Sequence, residues 1–328
     1  MSTHIEIAKR FVGKLLTQRT DIVGVLLVGS AARGDETAFS DIDLRVIVTS
    51  KEGNWLFRDG SDGWFEGVYV DTGIVVRELY ADVRQVLTNP TAANDMNDAL
   101  ILYDPEEFLA EVQQSVRAVF MQPQWVGRRV KMPIERFPPL IIALRTAVTT
   151  GNAPDICINA SRIFFGLASV PLFVYGISLS STRNLAQLGE VAPDWKNRIC
   201  ELEGTSALTD CETAAAIAIL AKLTDLIETD RWGDVPQYVV KKVEWMAQNG
   251  YPQAALHTAW FNNGFRIRDC LDGGKPAVIA QATALTEEWL MMMGWESKGS
   301  FSGKLDTISA MTAELEEMTA TYIAAIQH

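Results

Sequence analysis

The apolar positions change their period near residue 120, and the change splits the chain into two regions. Upstream, short apolar runs dominate. Residues 23–28 (VGVLLV), 42–48 (IDLRVIV), 68–76 (VYVDTGIVV) and 99–103 (ALILY) have the length and β-branched content of strands. Ahead of them Ile7, Phe11, Val12, Leu15 and Leu16 recur at helical spacing and predict a helix over 5–17. Residues 80–87 predict a helix ended by Asn89-Pro90, and Asp104-Pro105 predicts a helix start with proline at its first position. The polar stretch 52–63, with Trp55 and Phe57 inside it, predicts a loop or hairpin. The fold class expected of this region is α+β or α/β, a mixed sheet with helices.

Downstream the strand signal fades. Helical periods run over 134–150, 153–177, 185–188, 209–229, 235–249, 253–271, 277–293 and 302–326. Breaks fall at Gly151-Asn152, 178–182, Gly204, 249–252 and Gly273-Gly274. The expectation is an all-helical bundle of seven or so members. The uncharged stretch 163–182 contains Gly166, Pro171 and Gly176, so it predicts a buried helix broken near Pro171 rather than a membrane span. The domains expected are 1–120 and 121–328.

The chemistry concentrates between the first two strands. The first run ends at Gly29-Ser30; Arg33-Gly34 follows, then Ser40-Asp41-Ile42-Asp43-Leu44 opens the second. Strand side chains alternate, so Asp41 and Asp43 project from one face. Two carboxylates so placed repel unless a cation sits between them, and hard divalent ions such as Mg²⁺ take oxygen ligands of this kind. A small-residue turn with free N–H groups beside them can hold a phosphate. Together they describe a site for a metal–nucleotide. Arg45 shares the parity of the aspartates and is placed to neutralise them or to meet a phosphate.

This ordered set, over about residues 22–48, resembles the signature of the nucleotidyltransferase superfamily. The two-region layout resembles the small-molecule members, which include aminoglycoside and lincosamide resistance enzymes. The resemblance implies a catalytic domain at 1–120 and an acceptor-binding helical domain at 121–328. It implies an Mg²⁺-dependent enzyme that moves a nucleoside monophosphate, AMP from ATP, onto a hydroxyl of a small molecule and releases pyrophosphate. Asp41 and Asp43 would hold the metal. Gly29, Ser30, Arg33 and Ser40 would border the nucleotide, with Ser40 better suited to capping its own turn. The family needs a third carboxylate. Asp71, inside an apolar run where an unpartnered charge is costly, is the choice over Glu66, which lies just before that run. Asp71 would complete the metal shell or take the acceptor's proton. Gly73 raises the prospect of a bulge that would turn Asp71 to the other face.

Composition narrows the partners. The 328 residues are 48% hydrophobic, with a mean hydropathy of +0.06, as expected of a soluble globular chain. The net charge is −12, of which residues 1–120 carry −8 and residues 121–328 carry −4. Such a surface repels a long nucleic-acid backbone and suits a metal-bound nucleotide with a small cationic or neutral acceptor. No signal-peptide pattern opens the sequence. Cys157, Cys200, Cys211 and Cys270 are widely spaced and apart from the three histidines, which predicts free thiols in the cytoplasm and no zinc site. Trp195, Trp232, Trp245, Trp260 and Trp289 are expected in the helical core. Two other classes share the motif: an antitoxin-type nucleotidyltransferase acting on a protein partner, and a nucleotide-binding module without chemistry. The long helical region argues against the first, and the intact Asp41–Asp43 pair against the second.

Overall fold

The computed structural model describes residues 3–49, 63–180, 183–227, 235–272, 274–295 and 298–326. The expected loop at 52–63, except for Gly63, and Trp232 lie outside these residues. The first region runs α1 (Thr3–Gln18), β1 (Ile22–Val28), α2 (Gly29–Arg33), β2 (Ile42–Val48), β3 (Gly63–Phe65), β4 (Val68–Val76), α3 (Glu78–Ala81), α4 (Val83–Thr88), α5 (Pro90–Asp98), β5 (Leu100–Tyr103) and α6 (Phe108–Val119). The strands form one mixed sheet in the order β3-β4-β2-β1-β5, with β2 and β4 parallel and the other pairs antiparallel.

Alternation along the strands builds two cores. Val25, Leu27, Ile42, Leu44 and Val46 pack with Ile7, Phe11 and Leu15 of α1. Leu26, Val28 and Ile47 pack on the other face with Val86, Leu87, Met96 and Val116. A sheet covered on both faces explains why its central strands are nearly continuous apolar runs. Asp43 and Arg45 share the parity of Ile47, so they stand on the α4–α6 face, at the end of β2 where the apolar packing stops.

Several local expectations are corrected. The β2–β4 register runs unbroken from Ile42↔Val70 to Val48↔Val76, so no bulge interrupts β4 at Gly73. Gly73 is opposite Arg45, and a Cβ there would come within 2.9 Å of the Arg45 Nη1. The glycine makes room for that guanidinium. Asn89-Pro90 ends one helix but also starts another, α5: the Asn89 carboxamide oxygen accepts from the N–H groups of Thr91 (3.0 Å) and Ala92 (3.1 Å). The helix expected at Asp104 begins at Phe108 instead, although the Ala110 N–H still donates to Asp104 Oδ2 at 2.9 Å.

The second region comprises α7 (Pro123–Glu135), α8 (Phe137–Thr150), α9 (Ala153–Val174), α10 (Asn184–Val191), α11 (Pro193–Glu203), α12 (Asp210–Asp225), α13 (Val235–Gln248), α14 (Pro252–Leu271), α15 (Pro276–Met292) and α16 (Lys298–Ile326). These are ten helices among the described residues, where about seven were expected. Helices α7 and α11 both open on a proline, which in sequence suggests a break but structurally suits the first helical turn. One core, from Val130 to Leu315, fills this bundle. Helix α9 is its centre; it is long and apolar enough to cross a membrane by composition, but is mostly buried among the other helices. It also runs unbroken through Pro171, against expectation. Proline has no N–H for the Leu167 carbonyl, and that carbonyl is taken by the Trp195 indole N–H at 2.8 Å.

Gly73→Ala should cost about 1–3 kcal/mol, the usual range for forcing atoms into filled space. Urea unfolding checks this, and unchanged stability would show that Arg45 has room to spare.

Candidate functional site

Strand β1 delivers the chain into the site with Val28 extended, and the next residue must turn sharply. Gly29 does so at φ +69°, a conformation that favours glycine. A second requirement reinforces the first: a Cβ on Gly29 would overlap the Asp43 carboxylate, which lies against its Cα. Asp43 is there because it pairs with Val28 across the β1–β2 ladder. Residues 29–33 then wind into α2, not the simple tight turn expected, and Gly34 at φ +74° closes it.

Three aspartates converge. Asp41 sits immediately before β2, Asp43 on it, and Asp71 directly beside Asp43 in the parallel β2–β4 pair. Burial pushes the Asp43 carboxyl up to about 8; Asp41 and then Asp71 push the same way, while Lys242 and Arg45 pull down. The three carboxylates therefore share one field. Glu66 does not join them. It occupies the β3–β4 turn at φ +49° and pairs on the surface with Arg10, Nη2 to Oε2 at 2.5 Å.

The flanking groups have separate duties. The Ser40 hydroxyl accepts from the Thr37 N–H at 2.8 Å, so it caps the loop leading to Asp41. Arg45 reaches away from the aspartates to Asp95 of α5 (Nε to Oδ2, 2.8 Å), and its charge is held by that carboxylate and then by Asp43, against the effect of burial. Arg33 lies 3.5 Å from Asp35, which also receives Arg183 at 3.1 Å. Its Nε and Nη2 are buried without a hydrogen-bond acceptor among the described residues. Such an arginine suits an incoming oxyanion.

Two adjoining cavities of about 190 Å³ each open here. One is bordered by Ser30, Ser40, Asp41, Ser180 and Lys242. The other is bordered by Arg45, Asn94, Asp95, Asp98 and Phe173. Gly29, Arg33, Asp43 and Leu179 line both.

Lys242 and Tyr238 of α13 are the residues that sequence reasoning missed. Lys242 Nζ donates to Asp41 Oδ1 at 3.0 Å. The Tyr238 hydroxyl donates to the Phe39 carbonyl at 2.7 Å, its ring stacks on Tyr69 at 4.9 Å, and Trp245 stacks on Phe39 at 5.9 Å. Burial, then Asp41 and Asp43, hold the Tyr238 phenol well above its ordinary range. One signal was present: Lys242 falls on the same helical stripe as Tyr238 and Trp245, a buried face where a lone lysine needs a partner. Among the described residues no group of three or more His, Cys, Asp or Glu side chains is placed to hold a metal ion as the structure stands, and Asp41 Oδ1 is engaged by Lys242. The chemistry of the donors nonetheless fits a hard divalent cation: carboxylate oxygens only, one of them pushed toward its protonated form by burial and then by its neighbours.

Residues 5–89 match the family model of the nucleotidyltransferase domain. The match runs from α1 into the segment joining α4 to α5, and it contains Gly29, Ser30, Asp41, Asp43 and Asp71. This is a domain of enzymes, and the activity it supports is nucleotidyl transfer; its family generally uses a nucleoside triphosphate and a divalent metal. No curated protein matches the sequence. Among solved structures, a nucleotidyltransferase-like protein from Exiguobacterium sibiricum 255-15 aligns at 12% identity over 88% of this chain and 92% of that one, with a TM-score of 0.36. That score is too low to bear on fold or function.

The raised Asp43 carboxyl gives a pH prediction for the metal-free protein. The folded state holds this proton up to about pH 8, whereas the unfolded chain releases it near pH 4. The site's contribution is therefore present at low pH and is lost as pH rises from about 4 to about 8. In EDTA, wild-type protein should lose melting temperature over this window relative to Asp43→Asn, and the variant should melt higher at pH 8.5. Parallel melting curves across the window would refute the shift.

Proposed function

We propose that the protein is an Mg²⁺-dependent nucleotidyltransferase that transfers a nucleoside monophosphate, AMP from ATP, to a hydroxyl of a small molecule and releases pyrophosphate. The single observation that carries this reading is that Asp41 and Asp43 border a cavity with Gly29, Ser30, Arg33 and Lys242, with Asp71 beside Asp43 on the next strand.

Asp41 and Asp43 are the residues that would hold the ion, with Asp71 in reach of the same field. Bound there, Mg²⁺ would polarise the α-phosphorus and offset the charge of the leaving pyrophosphate. The chain's own residues do the rest. Gly29 brings the backbone close to the carboxylates without a side chain in the way. Ser30 borders the cavity with Lys242, and Arg33 offers two buried N–H groups to phosphate oxygens. Asp71 is the candidate base for the acceptor hydroxyl, since neither Asp43 nor Asp41 is free for that task once an ion is held.

The division of labour follows the fold. Residues 1–120 would form the catalytic domain and 121–328 the acceptor-binding domain. The second cavity, between α5 and the end of α9, supplies a place for the acceptor next to Asp43. Its polar border suits a hydroxylated small molecule, an aminoglycoside or lincosamide antibiotic among the candidates. The net charge of −12 disfavours a long nucleic acid. Four unpaired cysteines, three of them buried, agree with a cytoplasmic protein.

The test is pyrophosphate release from ATP, GTP, CTP and UTP in the presence of pooled hydroxylated antibiotics. Asp41→Asn and Asp43→Asn should each abolish release while the protein stays folded; near-native turnover in either removes the metal assignment. Asp71→Ala should cut turnover by about 10²–10⁴, the usual contribution of a general base, with nucleotide affinity little changed. Loss of nucleotide affinity alone would place Asp71 in binding rather than proton transfer. Mg-ATP at 100 times its Kd should stabilise the fold by about 2.7 kcal/mol, read as a higher melting temperature.

A further inference from the structure

Helix α13 reaches the aspartate cluster from the other end of the chain, 201 residues beyond Asp41. The Lys242 side chain is only 11% exposed, and its ammonium lies 3.0 Å from Asp41 Oδ1. The helix that carries it is fixed to the two segments that carry the carboxylates. Tyr238 is hydrogen-bonded to the Phe39 carbonyl, two residues before Asp41, and its ring stacks on Tyr69, two residues before Asp71. Trp245, one turn beyond Lys242, stacks on Phe39. The ammonium is thus held at Asp41 by an aromatic frame, at the end of a four-carbon stem with several rotatable bonds.

We propose that Lys242 is a resident counter-ion, a positioning residue that occupies Asp41 in the metal-free state and competes with the divalent cation for it. This rests on the metal reading of Asp41 and Asp43 given above. A dication shared by those two carboxylates would lie close to an ammonium within hydrogen-bonding distance of Asp41, and like charges at such range repel strongly in a partly buried site. The lysine therefore has to leave Asp41 as the metal enters. Linkage is reciprocal: the lysine weakens metal binding by the same factor that the metal weakens the lysine's hold. The arrangement keeps the three carboxylates from facing one another without a cation, and it ties metal loading to the grip of α13 on the loop before β2.

The experiment measures Mn²⁺ binding to the full chain without nucleotide, by the electron paramagnetic resonance signal of free Mn²⁺. Lys242→Met should bind Mn²⁺ at least about fivefold more tightly than wild type, the lower end of typical couplings between sites. Lys242→Arg, which keeps the cation, should stay near wild type, and Asp41→Asn should lose binding. In EDTA, Lys242→Met should melt below wild type and recover more on adding Mn²⁺. Equal or weaker binding by Lys242→Met, with Asp41→Asn still defective, overturns the counter-ion role and leaves the transferase reading intact. Unchanged binding by Asp41→Asn removes the metal reading itself, and this inference with it. Should Lys242→Met fail to fold, reductive methylation of wild-type protein followed by mass spectrometry decides the matter. Mn²⁺ should speed labelling of Lys242, and an unaltered rate overturns the proposal.

Discussion

Carboxylates crowded at the end of a buried strand set the terms for everything around them. Asp43 is fixed by its pairing with Val28 on one side and Asp71 on the other, so it cannot move away from its neighbours without unzipping the ladder. Burial alone disfavours its charge, and Asp41 and Asp71 disfavour it further. A fold built mainly for stability would place apolar side chains here, as it does at Leu44, Val46 and Val48 on the same strand. Retaining three neighbouring acids, two of them lining a cavity, is the kind of local cost that marks a working site.

The cations nearby divide into two sets. Arg45 belongs to the sheet: it lies over Gly73, is paired with Asp95, and lowers the field at Asp43 from below. Arg33 and Lys242 belong to the cavity. Arg33 is paired with Asp35 but has two buried N–H groups without a hydrogen-bond acceptor among the described residues, and Lys242 holds Asp41. A structural arginine and two cavity cations around one carboxylate cluster are the setting that the proposed metal–nucleotide reading requires. The same logic explains Gly29 and Gly73, which are glycines for reasons of clearance: one admits the Asp43 carboxylate, the other the Arg45 guanidinium.

Much of this was legible in the sequence wherever the controlling interactions are local. The runs at 42–48 and 68–76 are strands because their apolar residues alternate or run continuously over a sheet covered on both faces. The Gly-Ser and Asp-x-Asp spacing marked the sharp bend at Gly29 and the acid pair, but not that residues 29–33 wind into α2. The relation of Asp71 to Asp43 was not legible, because it depends on the parallel β2–β4 register, which no local pattern encodes; an intact register across Gly73 is what settles its face. Helices α7 and α11 were hidden by their opening prolines, and where α9 continues past Pro171 a distant tryptophan takes the carbonyl that proline leaves bare. Lys242 was hidden by distance along the chain, although its place on the Tyr238–Trp245 stripe was a usable clue.

The match over residues 5–89 ends well before the site does. Asp95 and Asn94 come from α5, Ser178 to Ser180 from the segment after α9, Arg183 from the start of α10, and Lys242 from α13. Ser178 donates to Asn94 at 3.3 Å and Arg183 to Asp35 at 3.1 Å, so the helical region is bonded to the walls of the cavity as well as bordering it. The carboxylates are thus supplied by the matched segment, while a neutralising cation and half of the cavity wall are supplied by the remainder. A sheet domain with this motif can be shared across many functions, because a fold does not by itself fix what it acts on. What distinguishes this chain from others with the motif is then to be sought in α5, the end of α9 and α13, since those elements supply the cavity walls that lie outside the matched segment.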